Sequence, residues 1–356
     1  MKDYKDEYLK QETARVLEER EKLGLNGLVG GLACVIINTE QDRQKAAVEE
    51  LLRYTGLRFV QAFEDSRYRT CVLKTEGSAD FLIRSRKNSD NPFTPFNIAP
   101  KSRHLPNTRL ETFVFETEDM ERYVSIQRGR GVAFLTNDII HTDRFSFIQT
   151  IPSSFTGNSI GLIQWKGQKG EYFTADSTIL DWDFQRSTRF DTVKELDHTA
   201  TRVEAADREP AIIEFMELTN YNFDFAVYVK IFNSITNVTR LSAEDFAMVF
   251  TSGISSYKND EESGPTEKFI HNYGRRVHHI AFRTENIDDT FADLKAAGMG
   301  FLIDLVGSPD EGLKQTFSEA SENTFLVNEY IHRYGDFDGF FTKSNVTLLT
   351  GATDKQ

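Results

Sequence analysis

The sequence predicts an α+β fold in which four βαβββ modules pair into two domains behind an N-terminal helix. Two observations carry this reading. Residues 115–135, FETEDMERYVSIQRGRGVAFL, match residues 282–302, FRTENIDDTFADLKAAGMGFL, at a constant offset of 167. Phe115/Phe282, Thr117/Thr284, Glu118/Glu285, Gly131/Gly298, Phe134/Phe301 and Leu135/Leu302 are identical pairs. A shared order of strand, capped helix, glycine stop and strand explains such self-similarity. The second observation is that two more segments, 32–60 and 196–225, run through the same order.

The elements follow in sequence. Residues 1–24 form a charged helix stopped by Gly24, and its polar surface places it on the outside or against a partner subunit. In LACVIINTEQDRQKAAVEELLRYTGLRFV (32–60), a strand leads to an Asn/Thr cap, an apolar helix stripe and Gly56 as the stop. LDHTATRVEAADREPAIIEFMELTNYNFDF (196–225) repeats this, with Asn220 or Asn222 near the helix end. Runs that alternate like strands follow the four segments: YRTCVLKT, FSFIQTI, DFAMVF and LKQTF. The expected division is an N-terminal helix over 1–25, a first domain over 26–168 and a second over 169–356, with 166–190 as the connection. The polar stretch 255–269 reads as a surface excursion of the third module.

Composition narrows the function. A formal net charge of −13 argues against a nucleic-acid partner, which needs clustered positive charge. No apolar run is long enough to span a bilayer, and the N-terminus has no signal-peptide core, so a cytoplasmic protein is expected. Cys34 and Cys71 sit in apolar runs, which suits a reducing compartment rather than a disulfide framework. Twenty-nine phenylalanines suggest a core or cavity with aromatic walls.

The histidines give the chemistry. His198-Thr-Ala200-Thr-Arg202 and His279-Ile-Ala281-Phe-Arg283 are both H-x-A-x-R, 81 residues apart, each on the first strand of a module. Residues two apart on a strand share a face, so each His lies beside a small Ala. His278 then shares a face with the packing residues Ile280 and Phe282, which leaves it a packing or edge role, or one of orienting a metal ligand without touching the metal. In NTFLVNEYIHRYG, Glu329 stands in an apolar strand, where a carboxylate needs a partner. A lone strand histidine is usually a hydrogen-bonded core residue. Two at equivalent positions of a repeat, with Glu329, instead suggest a 2-His-1-carboxylate face suited to non-haem Fe(II). His104, His141 and His271 read as surface residues, and His332 falls opposite Glu329. In the first half, Thr112 stands where the repeat puts His279, and the region around Ala33 corresponds to His198, so no metal is expected there. A structural or subunit-holding task is expected for that half, which allows a homo-oligomer.

On these residues the sequence resembles the vicinal oxygen chelate superfamily and, within it, the 4-hydroxyphenylpyruvate dioxygenase family. The resemblance rests on the last 160 residues or so. ELDHTATRV is similar to the family's first ligand strand and FIHNYGRRVHHIAFRTENI to its second, with His278 in the place of a usual glutamine. GLKQTFSE is similar to a substrate-strand motif of the type LLQIFT, which implies Gln315 and Phe317 as substrate-binding residues. NEYIHRYGDFDGFFTKSNV is similar to the closing motif, which implies Glu329 as third ligand and Phe340 at the pocket. The resemblance implies an Fe(II) enzyme that takes a 2-oxo acid and O₂, releases CO₂ and hydroxylates the same molecule. It also implies a lid over 336–350, with Gly335 and Gly339 as hinges. The family's Ser-Gln-Ile and Asn-Glu-Pro segments are missing, and His279 and Glu329 are only 50 residues apart, so substrate and pocket wall are expected to differ. An extradiol ring-cleaving catechol dioxygenase and a non-catalytic metal-binding protein of the same fold remain the alternatives.

Overall fold

The computed structural model describes residues 6–185, 189–335, 337 and 339–356. Two curled sheets form its frame. The first has nine strands, in the spatial order Ile140–His141, Phe145–Gln149, Ser159–Trp165, Arg109–Thr117, Val29–Asn38, Asp80–Arg86, Tyr68–Lys74, Arg58–Glu64 and Thr178–Ile179. The second has eight, in the order Asn222–Val229, Ser234–Arg240, Ala247–Gly253, Val193–Arg202, Arg276–Thr284, Val327–Arg333, Leu313–Ala320 and Val306–Ser308.

The same rule builds both sheets. The first strands of two modules meet antiparallel at the centre, and each pairs in parallel with the last strand of its own module. A parallel return requires a crossover, and each module's helix supplies it. The sequence repeat extends to the helix ends. Asp119 caps the helix Met120–Gly129 by accepting from the Arg122 amide at 3.0 Å. Asn286, 167 positions later, caps Ile287–Ala296 through the Asp289 amide at 3.2 Å. Gly131 and Gly298 both take positive φ, 86° and 91°, just past those helices.

The helix-covered faces of both sheets join one continuous core, in which Phe81 of the first sheet stacks on Phe282 of the second at 5.8 Å. Tyr330 donates to the Tyr54 carbonyl and Tyr123 to the Leu218 carbonyl, tying the halves together. The opposite, concave faces carry separate clusters, around Val72 in the first sheet and around Ala200 in the second.

Several local expectations change. The helix Glu7–Leu23 ends at Gly24 (φ 70°) as its sequence requires, but it lies along the helix Arg208–Leu218 of the second half. Leu9 and Val16 are buried there, and Arg20 donates to the carbonyls of Met216 and Tyr221 and to Asn222 Oδ1. Asn38 and Thr39 cap no helix, since Gln44–Tyr54 starts later; they tie down the strand end through Asn107 and Arg84. Gly56 is required by close approach: a Cβ there would meet the Val193 carbonyl oxygen at 2.0 Å. Only the first part of 255–269 is a surface excursion. Pro265–Tyr273 is a helix that buries Pro265, Thr266, Glu267, Phe269 and Ile270. Glu267, held by the amides of Gly253 and Tyr257, masks that apolar face in the sequence.

Candidate metal centre

Register brings three side chains together. His198 pairs with Ala281, and Ala281 with Glu329, so these lie abreast on three adjacent strands. His279 enters two residues before Ala281, opposite Ala200. The alanines leave the space that the imidazoles fill. His198 Nε2 lies 3.0 Å and His279 Nε2 3.3 Å from Glu329 Oε2, and the three ligand atoms fall within 4.8 Å of one another. All three residues are buried.

Two β-bulges complete the arrangement. Leu196 pairs with Phe282 and His198 with Ala281, which leaves Asp197 without a register partner. Ala200 pairs with His279 and Thr201 with Val277, which leaves His278 without one. A bulge breaks the alternation of faces. His278 therefore does not lie with Ile280 and Phe282 on the packing face. It turns inward beside His279, and Val277 takes the place in the core. Each bulge residue meets the far nitrogen of the histidine that follows it. Asp197 Oδ2 lies 2.7 Å from His198 Nδ1, and His278 Nδ1 lies 2.8 Å from His279 Nδ1.

These contacts set the tautomers. Asp197 accepts the Nδ1 proton of His198. His278 donates through Nε2 to Gln356 Oε1 (2.7 Å), so its Nδ1 accepts from His279. Both Nε2 atoms thereby point at Glu329, and each can offer a lone pair to a cation once it carries no proton. Arg333 holds Asp197 with two bonds of 2.5 and 3.1 Å. Gln315 donates to Glu329 Oε1 at 2.5 Å, and its own carbonyl accepts from Asn345 at 3.1 Å.

Electrostatics agree with the geometry. Burial alone would lower the His198 pKa, but the Glu329 charge and the bonds to Asp197 and Glu329 lift it to about 9. Burial, aided by His278, His198 and Arg202, pushes His279 well below the usual imidazole range. Asp197 resists its burial through Arg333 and His198 and stays below the usual carboxylate range. With Arg333 balancing Asp197, Glu329 leaves one negative charge that a proton on His198 or a bound cation can balance. Two imidazoles and a carboxylate aimed at one point fit a divalent metal ion.

No protein-family model matches the sequence, and no curated protein is significantly similar to it. Solved structures are similar. A mutant of 4-hydroxymandelate synthase from Streptomyces coelicolor aligns at TM-score 0.69 and 16% identity, over 92% of this chain and 98% of that one. A xylose isomerase-like TIM barrel/4-hydroxyphenylpyruvate dioxygenase fusion aligns at 0.64 and 14%, over 92% of this chain and 53% of the fusion. A halotolerant catechol dioxygenase aligns at 0.53 and 9%, over 88% and 90%. The chain has the vicinal oxygen chelate fold.

Within this vicinal oxygen chelate frame, aromatic rings close the site. Phe317 lies over His279 at 4.8 Å, and Phe340 and Phe341 approach His198 edge-on at 5.4 and 5.2 Å. A cavity of about 40 Å³ adjoins His279 and Glu329, lined by Gln315, Phe317, Phe341 and Arg202 among others. The helix Lys343–Ala352 contributes Val346, Leu349 and Thr350 to its wall. A cleft of about 400 Å³ lined by Thr201, Met248, Glu214 and Arg130 touches none of the three. His104, His141 and His271 are exposed, and His332 Nδ1 meets the Thr284 carbonyl away from the site. Of the proposed lid 336–350, residues 336 and 338 lie outside the described residues.

The register also sharpens the comparison between halves. Cys34 pairs with Val114 as His198 pairs with Ala281, so within the region around Ala33 it is Cys34 that is the counterpart of His198. Thr112 matches His279, and Gly161, paired with Val114, matches Glu329. Asp197, Arg333, Asn345 and Gln356 are supporting residues that the sequence reading missed. The signal for Asp197 was present: it precedes His198 as His278 precedes His279.

Proposed function

We propose that this chain is a non-haem Fe(II) dioxygenase that oxidatively decarboxylates a 2-oxo acid and hydroxylates the same molecule. His198, His279 and Glu329 are its metal ligands, in a second domain spanning 169–356, with 26–168 as a first domain that holds no metal. The observation that carries this reading is the buried convergence of two Nε2 atoms and one carboxylate oxygen within 4.8 Å. Bound there, Fe(II) would supply open positions for the keto acid and O₂ and the redox capacity of the reaction.

The chain's own residues do the rest. Asp197 and His278 hold the Nδ1 protons outward so that both Nε2 atoms stay basic. Gln315, steadied by Asn345, occupies Glu329 Oε1 and leaves Oε2 for the metal. Phe317, Phe340 and Phe341 keep water from the reacting groups. The cavity of about 40 Å³ is too small for a 2-oxo acid, so the helix Lys343–Ala352, which forms part of its wall, withdraws to admit substrate. Gln315 lines that cavity, and the second hydrogen of its amide nitrogen is its donor to the substrate. Names among the solved structures of this fold support a dioxygenase.

Anaerobic protein loaded with Fe(II) is expected to give the weak visible charge-transfer band of a chelate with a 2-oxo acid, and CO₂ once oxygen is admitted. Glu329→Ala should lose both signals. Normal turnover by that variant would refute the assignment. Extradiol cleavage is the second reading, favoured by the match to a catechol dioxygenase along 88% of the chain. Ring opening of catechols without any 2-oxo acid would establish it instead.

A further inference from the structure

We infer that the substrate of this centre carries a second anionic group, a carboxylate at the end remote from the metal, and that Arg202 receives it. The inference rests on the metal-site reading above and adds the substrate class: a 2-oxo dicarboxylic acid.

Arg202 is the last residue of the H-x-A-x-R motif that begins at His198, and it faces the same concave side. It is 4% exposed and lines the same cavity as His279 and Glu329. Among the described residues no carboxylate lies within ion-pair distance of it. Its hydrogen bonds go to neutral groups, the Pro265 carbonyl at 3.3 Å and the Thr353 hydroxyl at 2.9 Å, and its guanidinium sits 4.6 Å over the Phe269 ring. Burial pushes its pKa down to about 9, with no counter-charge to offset it. Buried charges in proteins are ordinarily paired.

Other buried arginines differ in where they point. Arg20 spends its donors on Met216, Tyr221 and Asn222, away from any cavity at the metal site. Arg276 is turned to Asn97 and Thr108 between the two halves. Arg202 alone of these three borders the space beside the triad. Hydroxyls surround it there: Ser234, Thr236, Thr251, Thr266 and Thr353 line the same cavity. Among the described residues the buried Thr251 Oγ1 has no hydrogen-bond partner, and Thr251 is the strand partner of Arg202. A carboxylate between them would satisfy both.

Charge and distance agree. A divalent ion with two neutral imidazoles and one carboxylate leaves one positive charge, and Arg202 adds another. A 2-oxo monoacid neutralises half of that, and a diacid all of it. Arg202 lies two residues past Ala200, the direct partner of His279, so strand rise and spacing separate the two backbones by roughly 8 Å. A 2-oxo diacid of roughly five to seven carbons can bridge the metal and the guanidinium.

The test is calorimetric, on the full chain loaded anaerobically with Fe(II). It compares 2-oxoadipate with 2-oxohexanoate and 2-oxoglutarate with 2-oxopentanoate, matched in carbon number. At least one diacid should bind about ten- to a hundredfold more tightly than its partner, the range of a charge-assisted hydrogen-bonded pair. Arg202→Met should erase that ratio, and Arg202→Lys should restore part of it. Equal affinities within both pairs in the unaltered protein, or no binding of any of the four, would overturn the inference whether or not the variants fold. The charge-transfer band, read in parallel, reports separately on the 2-oxo chelate. A band with no preference for diacids sinks this inference alone. A diacid preference that needs Arg202 but gives no band sinks the chelate reading alone.

Discussion

Asp197→Asn tests how much of the candidate metal centre is built by a residue that would touch no metal. Asp197 accepts from His198 Nδ1 at 2.7 Å and takes two bonds from Arg333. Asparagine keeps the shape and one acceptor oxygen but removes the charge. His198 is then less basic at Nε2, and its ring is less firmly aimed. Loss of such a supporting carboxylate lowers metal affinity by about 10–100-fold, or about 1.4–2.8 kcal/mol. Asparagine should fall at the lower end and Asp197→Ala at the upper. A second effect is separable. Arg333 loses its counter-ion while its side chain is 20% exposed. Breaking a fully buried pair costs about 3–5 kcal/mol; Arg333 keeps solvent contact, the Phe340 carbonyl and its ring, so ~2–3 kcal/mol of metal-free stability should go. Chelator competition with Fe(II) under argon reads the first quantity, and urea unfolding without metal reads the second. Affinity within twofold of the unaltered protein, in a variant that is folded, would refute the account of how His198 is positioned.

Because His198 in the metal-free protein has a pKa near 9, metal binding at pH 7 should release about one proton. Calorimetry in buffers of different ionisation enthalpy reads that number, and zero would contradict the site. The pKa is raised on folding, so this proton stabilises the metal-free protein fully below about pH 6.5, the unfolded value, and the contribution fades as pH rises through about 9; a metal-free Tm that does not decline over that window counts against it. Gly56→Ala sets a Cβ against the Val193 carbonyl and should cost about 1–3 kcal/mol or more, measured as a lowered Tm. Arg20→Met strands carbonyls of the helix Arg208–Leu218 and its exit loop, and should lower the urea midpoint by the equivalent of about 3 kcal/mol. An unchanged midpoint would mean that the Arg20 bonds do not hold the helix Glu7–Leu23, which keeps buried Leu9 and Val16 and the Arg15–Glu217 pair.

The architecture was legible because it is written twice. The Asp119/Asn286 caps and the Gly131/Gly298 stops recur at one offset, and each marks the same point in a module. The convergence of His198, His279 and Glu329 was legible because period-two alternation holds from His198 to Arg202 and from His279 onward. It fails one residue earlier on both strands. An inserted residue has no signature in composition, so alternation alone hides Asp197 and puts His278 on the packing face, where the bulge does not leave it. Contacts that bridge distant segments were invisible for a different reason. Nothing local in FFTKSNV says that Asn345 will hold Gln315, and nothing in the charged N-terminus says that Arg20 will find Met216. The Glu267 side chain hid an apolar helix by answering to amides rather than to solvent.

The twin positions in the first sheet bear on any attempt to graft a second centre there. Cys34 and Thr112 could be exchanged for histidines on paper, but Gly161 could not accept a glutamate so simply. A Cβ at that position would already stand 3.1 Å from Thr112 Cγ2 and Val114 Cγ2 and 3.2 Å from Phe147. The duplicated scaffold has let its spare cradle fill with methyl groups and a ring, so a transplant must carve out volume before it can install donors.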